Sequence, residues 1–83
     1  MKVLVFAQLR ELLGSDFIEL LDSECPTDVA GLRQLLVERV GGDFGEALAD
    51  PNVFCAVDQR VVDNEHALSP AQEVAFFPPM TGG

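Results

Sequence analysis

Thr27-Asp28-Val29-Ala30-Gly31-Leu32-Arg33-Gln34-Leu35-Leu36-Val37-Glu38-Arg39-Val40-Gly41-Gly42 is the one stretch long and periodic enough to form a substantial helix. Val29, Leu32, Leu36 and Val40 recur at helical spacing, with Leu35 beside them. That stripe marks a helix lying on a core, not a ligand surface. Thr27 suits the N-cap and Asp28 the first turn, although Ala30 stands where a capping box wants Glu or Gln. Gly41-Gly42 stops the run after about three and a half turns.

Strands flank this helix on both sides. In Lys2-Val3-Leu4-Val5-Phe6-Ala7, Val3, Val5 and Ala7 alternate with Leu4 and Phe6, so both faces are apolar and both need cover. One cover is the helix; a partner can be the other. Gln8 to Leu13 has helical spacing and ends at Gly14, a C-cap. Asp16 to Leu21 reads as a second strand, paired with the first around that short helix, and Ser23 to Pro26 as a loop. Beyond the main helix, Asp43 to Ala49 reads as a further helical turn before Asp50-Pro51-Asn52. Val53 to Val57 is a third strand, and Arg60-Val61-Val62 a fourth after an Asp58-Gln59 turn. Asn64 to Gln72 is polar and irregular, with Ser69-Pro70 as a turn signal. Glu73 to Phe77 closes the pattern, Val74 and Phe76 on one face, Ala75 and Phe77 on the other. The order β, β, α, β, β, β specifies an α+β roll, one mixed sheet of about five strands packed on one main helix. Residues 1–77 form the domain and 78–83 an extended tail.

At 83 residues the chain is one domain, burying only about 60–65% of its unfolded surface. Its 48% apolar content argues for a packed core. No apolar run approaches the ~20 residues of a membrane span, and nothing resembles a signal peptide, so the expectation is a cytoplasmic protein without a membrane partner. A formal charge of −9 disfavours nucleic acid and favours a neutral or basic protein; acidity for solubility is the plainer alternative. Cys25 and Cys55 form no C-x-x-C pair and His66 stands alone, so no metal site is expected. Cys55 reads as a small buried hydrophobe, Cys25 as a loop residue and His66 as solvated.

The sequence ends Phe76-Phe77-Pro78-Pro79-Met80-Thr81-Gly82-Gly83. Two prolines end the strand and project the tail outward. Glycine has no Cβ, so Gly82-Gly83 is the narrowest backbone available and fits an enclosed active site. From Phe77 to Gly83 an extended tail reaches roughly 20 Å. A frayed, functionless end is the alternative, against odds of roughly one in 200 for two adjacent glycines by chance. No Gly-rich phosphate loop, nucleophile elbow or zinc-binding helix is present, and no nucleophile stands beside a base.

The opening Val3-Leu4-Val5-Phe6-Ala7-Gln8-Leu9-Arg10-Glu11-Leu12-Leu13-Gly14 and the closing Glu73-Val74-Ala75-Phe76-Phe77-Pro78-Pro79-Met80-Thr81-Gly82-Gly83 resemble the molybdopterin synthase small subunits, a family of ubiquitin-like sulfur carriers. The resemblance spans essentially the whole chain and implies a β-grasp fold. It implies that an adenylating, MoeB-like enzyme uses ATP to convert the Gly83 carboxylate to an acyl-adenylate, and that sulfur transfer then gives a thiocarboxylate. The tail (Pro78, Pro79, Met80, Thr81, Gly82, Gly83) would enter a MoaE-like large subunit holding the pterin precursor, cyclic pyranopterin monophosphate. Two carriers would each donate one sulfur to the molybdopterin dithiolene, in a heterotetramer of two small and two large subunits. No cofactor is permanently bound in this scheme, and the acid–base residues belong to the large subunit.

The same resemblance places Phe6, Val61 and Phe77 at the apolar contact with partners; ordinary covered-edge residues are the alternative. Arg10 is either a partner contact or a solvated helix charge. Rival readings are a sulfur carrier for another pathway, such as thiamine, a ubiquitin-like protein modifier, and a plain interaction module.

Overall fold

The computed structural model describes residues 1–78. Its elements run β1 (Lys2–Val5), α1 (Gln8–Leu13), β2 (Phe17–Glu19), a 3-10 turn (Asp22–Glu24), α2 (Val29–Val40), α3 (Gly42–Leu48), β3 (Phe54–Val57), β4 (Arg60–Val62) and β5 (Glu73–Phe77). The five strands form one sheet in the order β2-β1-β5-β3-β4. β1 and β5 are parallel at its centre, and the other three pairings are antiparallel. This is the expected mixed α+β sheet.

Strand alternation sorts the sheet into two faces. Val3, Val5, Cys55, Val57, Val74 and Phe76 are buried beneath α2, whose Val29, Leu32 and Leu36 are fully buried in return. Burying such side chains contributes about 1.5–3 kcal/mol each. Val40, expected in the stripe, is exposed instead, at the last residue of the helix. Gly41 and Gly42 take φ of 65° and 59°, which reverses the chain where a Cβ would be strained.

The reversal launches α3, a larger element than the turn expected from Asp43 to Ala49. Phe44 and Leu48 enter the core from it. A Cβ on Gly45 would lie 3.0 Å from the Val37 carbonyl, so glycine permits α3 to sit tightly on α2.

The cap of α2 also differs from expectation. Asp28, not Thr27, occupies the N-cap, its Oδ1 accepting from the Gly31 N–H at 2.8 Å. Leu68 N–H donates to the Thr27 carbonyl and Asp28 bridges to Ala67. This pairing holds Asp28 extended, at φ −147° and ψ 173°, so helical dihedrals begin at Val29. Carbonyls of His66 and Asn64 accept from Val29 and Ala30, satisfying further free donors of the helix start.

β1 stops at Val5, shorter than expected, because Ala7 has φ 52° and is exposed, so it does not share the inner face of Val3 and Val5. β2 is likewise trimmed to three residues and β3 to four. Asp58 and Gln59 both have positive φ, the conformation of a tight hairpin turn. Asp58 Oδ1 accepts from Glu73 N–H at 3.0 Å, which holds the turn against β5.

Glu24 fastens the 3-10 turn to α2. Its carboxylate accepts from Arg39 at 2.6 Å and from Leu21 N–H at 3.0 Å. These two bonds, the Arg39 one foremost, hold its carboxyl below the ordinary value of 4.5. A depressed folded-state pKa contributes stability above the unfolded value and loses it as pH falls through the folded one. Glu24→Gln therefore flattens the acid-side loss of stability, measured as urea midpoints from neutral pH to below 4.5. An unchanged slope would contradict this assignment.

Candidate functional site

The outer face of the sheet, away from α2, carries three ordered rows. Register aligns Phe17, Leu4, Ala75, Ala56 and Val61 across all five strands. Toward the tail, Phe6, Phe77 and Phe54 form a ladder. Phe6 stacks on Phe77 at 4.7 Å between ring centroids, and Phe77 on Phe54 at 5.1 Å, with interplanar angles of 1° and 12°. At the opposite end, Glu19, Lys2 and Glu73 form a charged row.

The middle of this face is hollow because two of its residues are alanines. Ala56 and Ala75 make the floor, and Leu4, Phe6, Phe54, Phe77 and Val61 stand around a concavity of about 350 Å³. Val61 is 69% exposed and Phe6 38%. Side chains this large are seldom left in an apolar concavity without a use, since such patches commonly mark interaction surfaces.

The structure thus brings Phe6, Val61 and Phe77 to one surface. Phe54 completes the ladder and was missed by sequence reasoning. Its signal was strand parity, since Phe54 alternates with the buried Cys55. Arg10 lies exposed on α1, its Nε 3.8 Å from Asp16, and does not join the outer face. Pro78 follows the ladder residue Phe77 directly in the chain. Of the expected tail, Pro79, Met80, Thr81, Gly82 and Gly83 lie outside the described residues.

Pro78 also lines a second concavity of about 520 Å³ between α1 and α3, with Gln8, Asp43, Glu46 and Asp50 among its walls. The root of the tail is therefore flanked by an apolar ladder and by a carboxylate-rich cleft. Cys55 lies in the core, where burial pushes its thiol up to about 11. His66 is exposed and Cys25 half-buried. Among the described residues no three His, Cys, Asp or Glu side chains cluster as metal ligands, and no helix is long and apolar enough to cross a membrane.

A mixed five-stranded sheet wrapped on one principal helix, with the chain leaving a central strand at an apolar face, defines a β-grasp protein. The chain belongs to the ThiS family, whose model matches residues 3–83. It is 45% identical over 82 residues to the molybdopterin synthase sulfur carrier subunit of Escherichia coli, covering 99% of this chain and 98% of that protein. Among solved structures it is similar to the small archaeal modifier protein 1 of H. volcanii, with 25% identity, a TM-score of 0.62 and 95% of each chain covered. It also shares its fold with a complex of subunits 1 and 2 of the molybdopterin-converting factor of Helicobacter pylori. That match has 23% identity, a TM-score of 0.61, and 99% of this chain and 96% of the other covered.

Proposed function

We propose that Gly83 is the reactive group of this protein and that its outer sheet face docks the enzymes that charge and discharge it. The function is that of a sulfur carrier of the molybdopterin synthase type. The observation that carries it is a family match that runs through Gly83 at nearly full length. Activation is needed because a carboxylate resists nucleophiles. Adenylation with ATP installs AMP as a leaving group, and sulfur replaces it to give the Gly83 thiocarboxylate. The thiocarboxylate sulfur then attacks the pterin precursor held by the large subunit, and water cleaves the Gly83 carbon–sulfur bond, which leaves the sulfur on the pterin and regenerates the Gly83 carboxylate. The domain, residues 1–77, acts as handle and address; the tail, 78–83, delivers the sulfur. No cofactor need reside in the chain.

The docking surface supplies the addressing. The alanine floor and phenylalanine ladder offer a partner an apolar socket beside the root of the tail. The chain's net charge of −9 and the carboxylates near Pro78 suit a large subunit and an adenylating enzyme with basic surfaces. A large subunit as partner, two carriers in a heterotetramer, and a cytoplasmic setting complete the proposal.

Incubation with an adenylating enzyme, ATP and a sulfur donor should exchange one oxygen for sulfur in the intact mass. No exchange in a donor system that charges another carrier would overturn the reading. Conversion of cyclic pyranopterin monophosphate with a large subunit separates this role from a thiamine-type carrier. The likeness to the archaeal modifier favours one second reading, conjugation of Gly83 to lysines of other proteins; isopeptide-linked adducts in cells would support it.

Val61→Asp tests the docking face. Val61 is exposed in the free chain, so the fold is unaffected, while a buried unpaired carboxylate weakens large-subunit binding about 100-fold. Titration calorimetry reads the change, and unaltered affinity would move the interface elsewhere.

A further inference from the structure

An activated carboxyl end is a hazard to the protein that bears it. Any free amine or thiolate within reach can take the acyl group. This chain offers very few. Of its five cationic side chains, Arg10, Arg33, Arg39 and Arg60 are arginines and only Lys2 is a lysine. A guanidinium stays protonated and does not accept acyl groups at neutral pH. The sequence contains no tyrosine.

The remaining amines and thiols are withheld one by one. Cys55 is 1% exposed and its thiol is raised by burial, which removes its thiolate. Cys25 is half-buried, its S–H directed at the Pro26 carbonyl 3.4 Å away. The Met1 amine is buried, donates to the Leu20 carbonyl at 2.8 Å and lies 3.6 Å from an Asp22 carboxylate oxygen. Lys2 is on the surface, but its ammonium rests 4.5 Å from the centroid of the Phe17 ring. Its cross-strand neighbours, Glu19 on one side and Glu73 on the other, are both acidic.

Distance alone does not protect Lys2. It pairs with Glu73, four residues before Phe77 on β5, so the root of the tail is roughly 13 Å away. A six-residue tail spans up to roughly 20 Å. Protection has to be chemical.

We propose that this chain is built as a non-acceptor of its own activated end: Lys2, its one side-chain amine, is held by the Phe17 ring between two glutamates, the Met1 amine and Cys55 thiol are buried, the half-buried Cys25 thiol is turned to a carbonyl, and the other cationic side chains are arginines. The acyl group of Gly83 then passes to sulfur and is not lost to nitrogen of the same chain or of a second copy. The reaction avoided is aminolysis. The lysine nitrogen would attack the Gly83 carbonyl carbon and form a C–N bond, the leaving group (AMP or a thiol) would depart with its electron pair, and the amine proton would go to solvent. The biological sense of the inference rests on the carrier reading; its chemistry does not.

The test uses the full chain with Gly83 installed as an alkyl thioester, held at neutral pH and followed by intact mass. Cyclised and dimeric products report self-acylation, and peptide mapping locates the acceptor. The wild type should hydrolyse with little more self-linked product than Lys2→Arg. Phe17→Ala, a surface change, should raise linkage at Lys2 roughly two- to fivefold by releasing its ammonium. Arg60→Lys keeps the charge, adds one open amine on an edge strand, and should yield about tenfold more product than wild type, mapped to position 60. Circular dichroism confirms that each variant is folded. Self-linkage of the wild type at Lys2 as fast as in Arg60→Lys, or no increase in Phe17→Ala, overturns the proposal. Because the thioester is installed chemically, failure of enzymatic oxygen-to-sulfur exchange would sink the carrier reading and leave this result standing.

Discussion

A chain truncated after Thr81 should fold like the full protein and carry no sulfur. Among the described residues the buried core lies between Met1 and Phe76, so loss of Gly82 and Gly83 should leave the unfolding free energy within about 0.5 kcal/mol. The carboxylate proposed to react, however, retreats by two residues, or about 7 Å. It also moves onto a β-branched threonine in place of the one residue type with no Cβ. A misplacement of ~1 Å can already cost about 100-fold in an enclosed active site. Oxygen-to-sulfur exchange should therefore fall to background, with large-subunit affinity reduced less than charging because the outer face is intact. Gly83→Ala keeps the carboxylate in register and adds one methyl group. It should retain measurable charging, about 10- to 100-fold below wild type, which distinguishes crowding at the terminus from loss of reach. Charging of the truncated chain at the wild-type rate would eliminate Gly83 as the reactive group.

The reach and slimness of the end could be read from residues alone, because they depend on missing side chains and on the fixed geometry of proline and glycine. Strand parity likewise sorted Phe6 and Phe77 away from Val5 and Phe76, and Val61 followed from the family resemblance. The arrangement of those residues needed the sheet order. Only with β5 between β1 and β3 does Phe77 stack on Phe6 and Phe54 at once. The hollow was equally hidden, since Ala56 and Ala75 are unremarkable until register sets them opposite each other. Local propensity misjudged α3, where Gly42, Asp43 and Gly45 are poor helix formers; burial of Phe44 and Leu48 and the close approach of Gly45 to α2 override it. Thr27 lost the cap to Asp28 through pairing with a loop some 40 residues away, as Ala67 is the partner. These differences share one cause, contacts distant in sequence. The proposal for the end of the chain rests on no contacts within the chain.

Arg33 carries that lesson furthest. On sequence it is one polar residue of a helix; in the structure it is a tie between α2 and the segment that leads into β3. Its Nη1 donates to the Leu48 carbonyl at 3.0 Å and its Nη2 to the Val53 carbonyl at 2.8 Å and to Asn64 Oδ1 at 3.2 Å. The guanidinium carbon lies 5.3 Å from the centroid of the Phe76 ring. The Leu48 carbonyl belongs to the last turn of α3, where a positive charge is favourable. Arg33→Met preserves much of the apolar stem but leaves these carbonyls without their charged donor. Hydrogen bonds to charged groups contribute about 1.5–3 kcal/mol each, reduced here by partial exposure, so the expected loss is about 2–4 kcal/mol in urea unfolding. Arg39→Met, which removes only the more exposed pair with Glu24, should cost clearly less, since solvent screens such a pair. Hydrogen exchange should accelerate first at Val53 and at Phe54, the rung of the ladder next to Phe77. Large-subunit affinity of Arg33→Met should fall only modestly, because folded molecules keep the same outer face. Equal stability losses in the two arginine variants would show that the carbonyl tie contributes nothing beyond an ordinary surface charge.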